Sequence, residues 1–184
     1  MQTSYYVIGA IVLIGVFLIV QYNRLIKLNV TVDEAFGQIE VQLQRRADLI
    51  PNLVETVKGY AAHEKSTFES VTAARSQTTS AHGFTEVAAA DNMMTNALRG
   101  LLAISEAYPD LKASENFRAL QEELSTTENK IGFARQYYND NVSSLNQAIA
   151  TIPGKFFAGP ANVKARDFYV VDDPTKREVP KVSF

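Results

Sequence analysis

The 184-residue chain contains no cysteine and no tryptophan, and only two histidines, His63 and His82. Without cysteine there is no disulfide framework, thiolate zinc site, iron–sulfur ligation or cysteine nucleophile. A carboxylate-bridged di-metal site in a helical bundle needs Glu-x-x-His on two helices. Three positions before His63 stands Tyr60, and three before His82 stands Thr79, so neither histidine completes the motif. His63-Glu64 is followed by Lys65-Ser66-Thr67 and so does not begin His-Glu-x-x-His. One histidine in a turn and one on a charged helix give no Ser-His-Asp constellation. The nine glycines form neither Gly-x-Gly-x-x-Gly nor Gly-x-x-x-x-Gly-Lys. Eighteen basic residues against twenty acidic ones leave a net charge of −2, without the basic excess or aromatic-lined basic stripe that nucleic acids require. The expectation is a protein with no catalytic residue, metal, cofactor or nucleic-acid partner, and no small-molecule substrate is evident. Period-two alternation is missing before the C-terminal segment, so the fold class is all-α.

What the chain does have is one long apolar run. From Tyr5 to Tyr22 there is no charge, and a single amide, Gln21, interrupts the apolar character. These residues approach the roughly 20 that span a bilayer, and the tyrosines at both ends suit interfacial aromatic belts. A cleaved signal peptide would begin with basic residues, but the opening residues carry none, and a core helix would show a polar stripe. Membrane lipid is therefore a partner through Tyr5 to Tyr22. Arg24 and Lys27 just after the span place residues 1–4 outside and the bulk of the chain in the cytoplasm.

Residues 23–152 read as a helical bundle. Leu25, Leu28, Val32, Phe36, Ile39, Leu43, Ala47 and Ile50 recur at steps of three and four. Thr31 followed by Glu34 matches a capping box, so either a local break or a continuous helix fits there. Pro51 interrupts the pattern, and Asn52 with Glu55 offers a new cap, which predicts a turn or a sharp kink. A second helix carries Leu53, Val57, Ala61, Phe68, Val71 and Ala74, and a third starts at an N-cap on Thr85 and ends at Tyr108-Pro109-Asp110. The fourth has the most regular seam: Phe117, Leu120, Leu124, Thr127, Ile131, Ala134, Tyr138, Asn141, Leu145, Ala148 and Ile152. The predicted architecture is one transmembrane helix followed by an antiparallel up-and-down four-helix bundle. The alternative is three long helices with a kink at Pro51, which would leave the C-terminal segment far from the bilayer.

From Pro153 to residue 184 the chain is rich in proline and glycine, yet Phe156, Phe157, Phe168, Tyr169, Val170, Val171 and Phe184 are too apolar for a solvated linker. In the four-helix arrangement Lys155, Phe156 and Phe157 return to the membrane surface; the other reading is that the two phenylalanines cap the bundle core. Two polar clusters remain as candidate interaction residues: Arg45, Arg46, Asp48, Pro51 and Asn52, and, on the fourth helix, Arg135, Tyr138 and Asn139. The first also reads as helix-terminal charge with an Arg–Asp pair at the turn. Asn141 is a candidate for setting register, or a satisfied core amide.

At these clusters the chain resembles the LemA family of bacterial membrane proteins. The likeness runs through Gln42-Leu-Gln-Arg-Arg-Ala-Asp-Leu-Ile-Pro-Asn-Leu-Val54, Val57-Lys-Gly-Tyr60, His63-Glu64, Ala74-Arg75, Phe117 to Leu124, Glu128-Asn-Lys-Ile131, Ala134-Arg-Gln-Tyr-Tyr-Asn139, Tyr169 and Pro180 to Phe184. After Pro153 the sequence departs from the family pattern. The resemblance implies a bundle behind one transmembrane helix of the bacterial inner membrane, N-terminus outside, with no enzymatic activity. Two functions fit: a scaffold that self-associates as a homo-oligomer or holds a membrane-protein partner, and an accessory or regulatory subunit of a membrane enzyme or protease.

Overall fold

The structure is a computed structural model that describes residues 2–170, and side chains from Tyr5 onward. Residues 171–184, including Val171 and Pro180 to Phe184, lie outside the described residues. Among the described residues every regular element is a helix: α1 Gln2–Lys58, α2 Lys65–Ser80, α3 Gly83–Ala107, α4 Pro109–Ala113, α5 Glu115–Ala150 and α6 Gly154–Ala158. Two compact units are formed, one from Met1–Ile39 with Phe133–Phe168 and one from Glu40–Gly132 with Tyr169–Phe184.

In the first unit, α1 presents Leu25, Val32, Ala35 and Ile39 to Ala134, Tyr138, Val142 and Leu145 of α5, all buried. The helices run antiparallel: the Phe36 and Tyr138 rings lie 5.9 Å apart, while Leu25 and Leu28 share a cleft with Ala148 and Thr151. Thr31 does not break α1, because its hydroxyl donates to the Lys27 carbonyl at 3.0 Å within the same helix. N-terminal to this core, α1 is the one helix among the described residues long and apolar enough to cross a membrane, with mean hydropathy 2.2 in its most apolar window and none of that window buried.

The fourth-helix seam holds from Phe117 to Tyr138 and then shifts. Val142 is fully buried where Asn141 was expected, and Asn141 is half-buried, its Nδ2 donating to the Tyr137 carbonyl at 2.7 Å. A 3.6-residue helix drifts about 20° per heptad from a strict 3.5 repeat, and a step of four in place of three restores the register. Asn141 therefore lies at the edge of this seam, with Val142 on it.

In the second unit, Ile50, Leu53 and Val57 of α1, Phe68, Val71 and Ala74 of α2, Met94, Leu98 and Leu101 of α3, and Phe117 and Leu124 of α5 make one core. The reversal expected at Pro51 is absent, since α1 runs through it to Lys58. The chain turns at 59–64 instead, where Tyr60 N–H bonds to Val57 O in a tightened last turn and the buried Ala61 pins the loop. Asn52 caps nothing; its carbonyl accepts the Thr56 hydroxyl at 2.8 Å. The helix continues through Pro51, as the alternative had it, but the turn at 59–64 still leaves four long helices among the described residues, α1, α2, α3 and α5. The third helix also begins earlier than Thr85. Gly83, with φ of 77°, supplies the left-handed backbone conformation entering α3, and Glu86 accepts the His82 N–H at 2.9 Å.

Candidate functional site

Arg46 is the largest fully buried side chain in the described structure, at 1% exposure in the C-terminal third of α1. Its Nη2 donates to Asp91 Oδ1 of α3 at 2.7 Å, and its Nη1 donates to Glu128 Oε2 of α5 at 2.9 Å and to Thr95 Oγ1 at 3.3 Å. Asp91 is equally buried, and its second oxygen accepts the Tyr169 hydroxyl at 2.7 Å. The Tyr169 ring packs edge-on against Phe84, centroids 5.7 Å apart. One guanidinium thus ties together α1, α3 and α5, and the C-terminal segment closes the set through Asp91.

The placement corrects the reading of Arg46 as a surface contact or a helix-terminal charge. α1 continues for twelve residues beyond it, and its acid partners are Asp91 and Glu128. Asp48 bonds instead to Gln44 Nε2 at 2.8 Å, and Arg45 forms an exposed ion pair with Glu123. Asp91 escaped the sequence reading although a signal existed: it is a carboxylate on the apolar stripe of Val87, Ala90, Met94 and Leu98. Beside this brace lies an open cleft of about 400 Å³ between α3 and α5, lined by Arg46, Thr95, Leu98, Arg99 and Glu128 among others.

Pro51 has a second role that the sequence did not disclose. A proline inside a helix has no N–H for the carbonyl four residues back. Here that carbonyl belongs to Ala47, and Arg75 of α2 donates its Nε–H to it at 3.1 Å. Arg75 therefore restores from a neighbouring helix the hydrogen bond that Pro51 removes.

In the first unit the C-terminal segment is strapped to both helices. Asn146 pairs with the backbone of Arg166 through two 2.9 Å bonds, its Nδ2 donating to the carbonyl and its Oδ1 accepting the N–H. The Arg166 guanidinium reaches Asn29 Oδ1 at 3.2 Å and Asp33 Oδ1 at 2.7 Å on α1. Tyr138 is buried and donates its hydroxyl to the Asp167 carbonyl at 3.1 Å, so it is part of the strap and not of a surface. Burial pushes its phenol above the ordinary value; the Arg166 guanidinium opposes this, while Asp167 and Asp33 add to the rise. Arg135 and Asn139 are half-buried. Of the two phenylalanines, Phe156 is exposed and Phe157 half-buried, so they do not act as a pair. Lys155 is exposed beside them.

Among the described residues no cluster of His, Asp and Glu could hold a metal ion. Within the brace the Arg46 Nε is buried without a hydrogen-bond partner, and the Glu128 side chain is half exposed.

Comparison with known proteins gives relatives of similar character. The chain is 24% identical over 178 residues to Magnetosome protein MamQ 2 of Paramagnetospirillum magneticum, covering 83% of this chain and 65% of that one. It is 23% identical over 178 residues to Magnetosome protein MamQ of Magnetospirillum gryphiswaldense, with the same coverage. It is 26% identical over 154 residues to Protein LemA of Metamycoplasma hominis, covering 82% of this chain and 70% of that one. The chain thus spans about two thirds of the length of the magnetosome relatives it matches. The family model described as LemA family matches residues 35–184, which takes in Arg46, Pro51, Arg75, Asp91 and Tyr169, and the chain belongs to the LemA family.

Proposed function

We propose that this protein is a membrane-anchored, non-catalytic interaction protein that self-associates at the inner membrane, its N-terminal side outside and its helical domain in the cytoplasm. The observation that carries the reading is how the polar residues are spent. Arg46, Asp91 and Arg75 fasten helices to one another, Tyr169, Asn146 and Arg166 fasten the C-terminal segment to them, and the large apolar side chains left exposed beyond the apolar run include Phe133, 72% exposed, and Tyr137, 46% exposed. These two are four residues apart on α5 and share one face. Arg135 and Asn139, two positions further on and half-buried, lie on a different face of the helix. Relatives named LemA and MamQ bear no enzyme names, which agrees with this reading.

A second copy of the chain is the occupant proposed for the Phe133–Tyr137 face. The test is extraction of the full-length protein in mild detergent followed by size determination. A defined homo-oligomer is expected, and Phe133→Glu with Tyr137→Ser should reduce it to monomer with helicity unchanged. A monomeric wild type would overturn self-association. A stoichiometric second protein in place of a second copy would favour the accessory-subunit reading instead.

A further inference from the structure

The end of α5 and Gly154, the first residue of α6, lie against α1 at the place where its apolar run ends. Gln21, Arg24, Leu25 and Leu28 of α1 line one cleft together with Thr151 and Ile152. Leu28 is six residues beyond Tyr22, about 9 Å of helix rise. The headgroup layer on each side of a bilayer is about 5–8 Å deep. The corner between α5 and α6 therefore stands at headgroup height if Tyr5–Tyr22 occupies the hydrocarbon core. At this corner Ile152 is 75% and Phe156 69% exposed, more than most of the apolar span itself. Lys155 stands next to Phe156, and Arg24 and Lys27 lie on the adjoining turns of α1.

The corner is also held in place. A Cβ on Gly154 would come within 2.0 Å of the Ala148 carbonyl oxygen, so only glycine permits α6 to fold this closely onto α5. Lys155 N–H bonds to Thr151 O at 2.8 Å, and Val163 N–H to Ala158 O at 3.0 Å, which closes α6 at both ends. Two large exposed apolar groups and a lysine are thus fixed beside the mouth of a membrane span.

We propose that the α5–α6 corner is a second membrane contact, in which Ile152 and Phe156 enter the boundary between headgroups and acyl chains and Lys155 lies among the lipid phosphates. This rests on the reading that Tyr5–Tyr22 crosses the bilayer. A lipid surface is the partner because the corner adjoins the span, and because paired apolar and cationic residues match the interfacial layer.

The absence of tryptophan makes the test free of background. Full-length variants carrying Phe156→Trp, Phe133→Trp or Phe17→Trp are reconstituted into vesicles of three parts phosphatidylcholine to one part phosphatidylglycerol. Quenching is compared for lipids brominated near the headgroup and at mid-chain. Phe17→Trp should be quenched by mid-chain bromine, and its failure would overturn the anchor and the corner contact together. With that satisfied, Phe156→Trp should be blue-shifted and quenched most by shallow bromine, while Phe133→Trp stays unquenched. Unquenched emission from Phe156→Trp overturns the corner contact alone. A blue shift without quenching does so too, because it means that protein covers the site.

Discussion

Arg46 and Asp91 form the kind of pair whose removal is costlier than its presence is beneficial. Two buried charges lose hydration worth several kcal/mol each, and their attraction roughly repays it. Removing Arg46 takes the guanidinium from the buried Asp91, and removing Asp91 leaves Arg46 to the half-exposed Glu128. Arg46→Met or Asp91→Leu should each destabilise by about 3–5 kcal/mol, whereas the double variant should recover much of that loss. Arg46→Lys should rescue little, because a single ammonium cannot serve Asp91, Thr95 and Glu128 with the geometry of a guanidinium fork. Urea unfolding in detergent, followed by helix signal, measures all four. A loss under about 1 kcal/mol in the single variants, the range of an exposed pair, would refute the brace. Tyr138 adds a pH dependence. Its folded pKa is raised above the usual 10.0, so the folded state holds its proton longer than the unfolded chain. Its contribution is present at lower pH and is lost as pH rises past 10, and Tyr138→Phe should flatten that alkaline decline in thermal unfolding.

The Pro51–Arg75 relation is also read at single residues. Arg75→Ala should cost about 1–3 kcal/mol by leaving the Ala47 carbonyl without its donor. In a Pro51→Ala background the helix supplies its own N–H, and the same Arg75 change should cost markedly less. A double-mutant cycle showing no coupling would mean that the guanidinium contributes by packing alone. The sequence marks both residues, yet a proline followed by Asn52 reads locally as a turn, because the compensating donor is 24 positions away on another helix. Arg46 is legible as important for the same reason that it is misread: its nearest acid in sequence, Asp48, is not its nearest acid in space.

At the scale of elements, the apolar periods were enough to place the helices and most of the seam, since burial on one face leaves a three-four signature whatever the tertiary detail. The ends of helices were less legible. The turn at 59–64 is fixed by Ala61 sinking into the core and by a tightened final turn, neither of which has a strong residue signal. α6 needs, besides its backbone hydrogen bonds, an approach of Gly154 to Ala148 that leaves no room for a Cβ. Gly154→Ala should therefore move or unwind α6 while leaving α1 to α5 intact. Amide hydrogen exchange should show lost protection confined to residues around 154–163 with the helix signal nearly unchanged. Asn146→Ala, which removes both bonds to Arg166, should loosen the strap at the other end. If exchange in the α6 segment is unaltered in both variants, its position is set by something other than these contacts.

For the molecule as a whole, the orientation proposed in the membrane rests on very few charges. The span from Tyr5 to Tyr22 is uncharged, and Arg24 and Lys27 on one flank face no basic residue on the other. The excess of Lys and Arg on that side predicts that the helical domain stays in the cytoplasm; acidic residues such as Asp33 and Glu34 weigh little in this bias. The chain has no cysteine, so single introduced thiols report sidedness without background. Thr3→Cys should react with a membrane-impermeant maleimide on intact spheroplasts. Ser143→Cys, on the exposed side of α5, should react only after the membrane is opened. The opposite pattern would reverse the topology. Because the orienting signal rests on two side chains, replacing Arg24 and Lys27 with glutamine and adding two lysines before Tyr5 should move the label of Ser143→Cys toward the outside. A helical domain that stays inside despite this would show that its own folding, ahead of insertion, fixes the orientation.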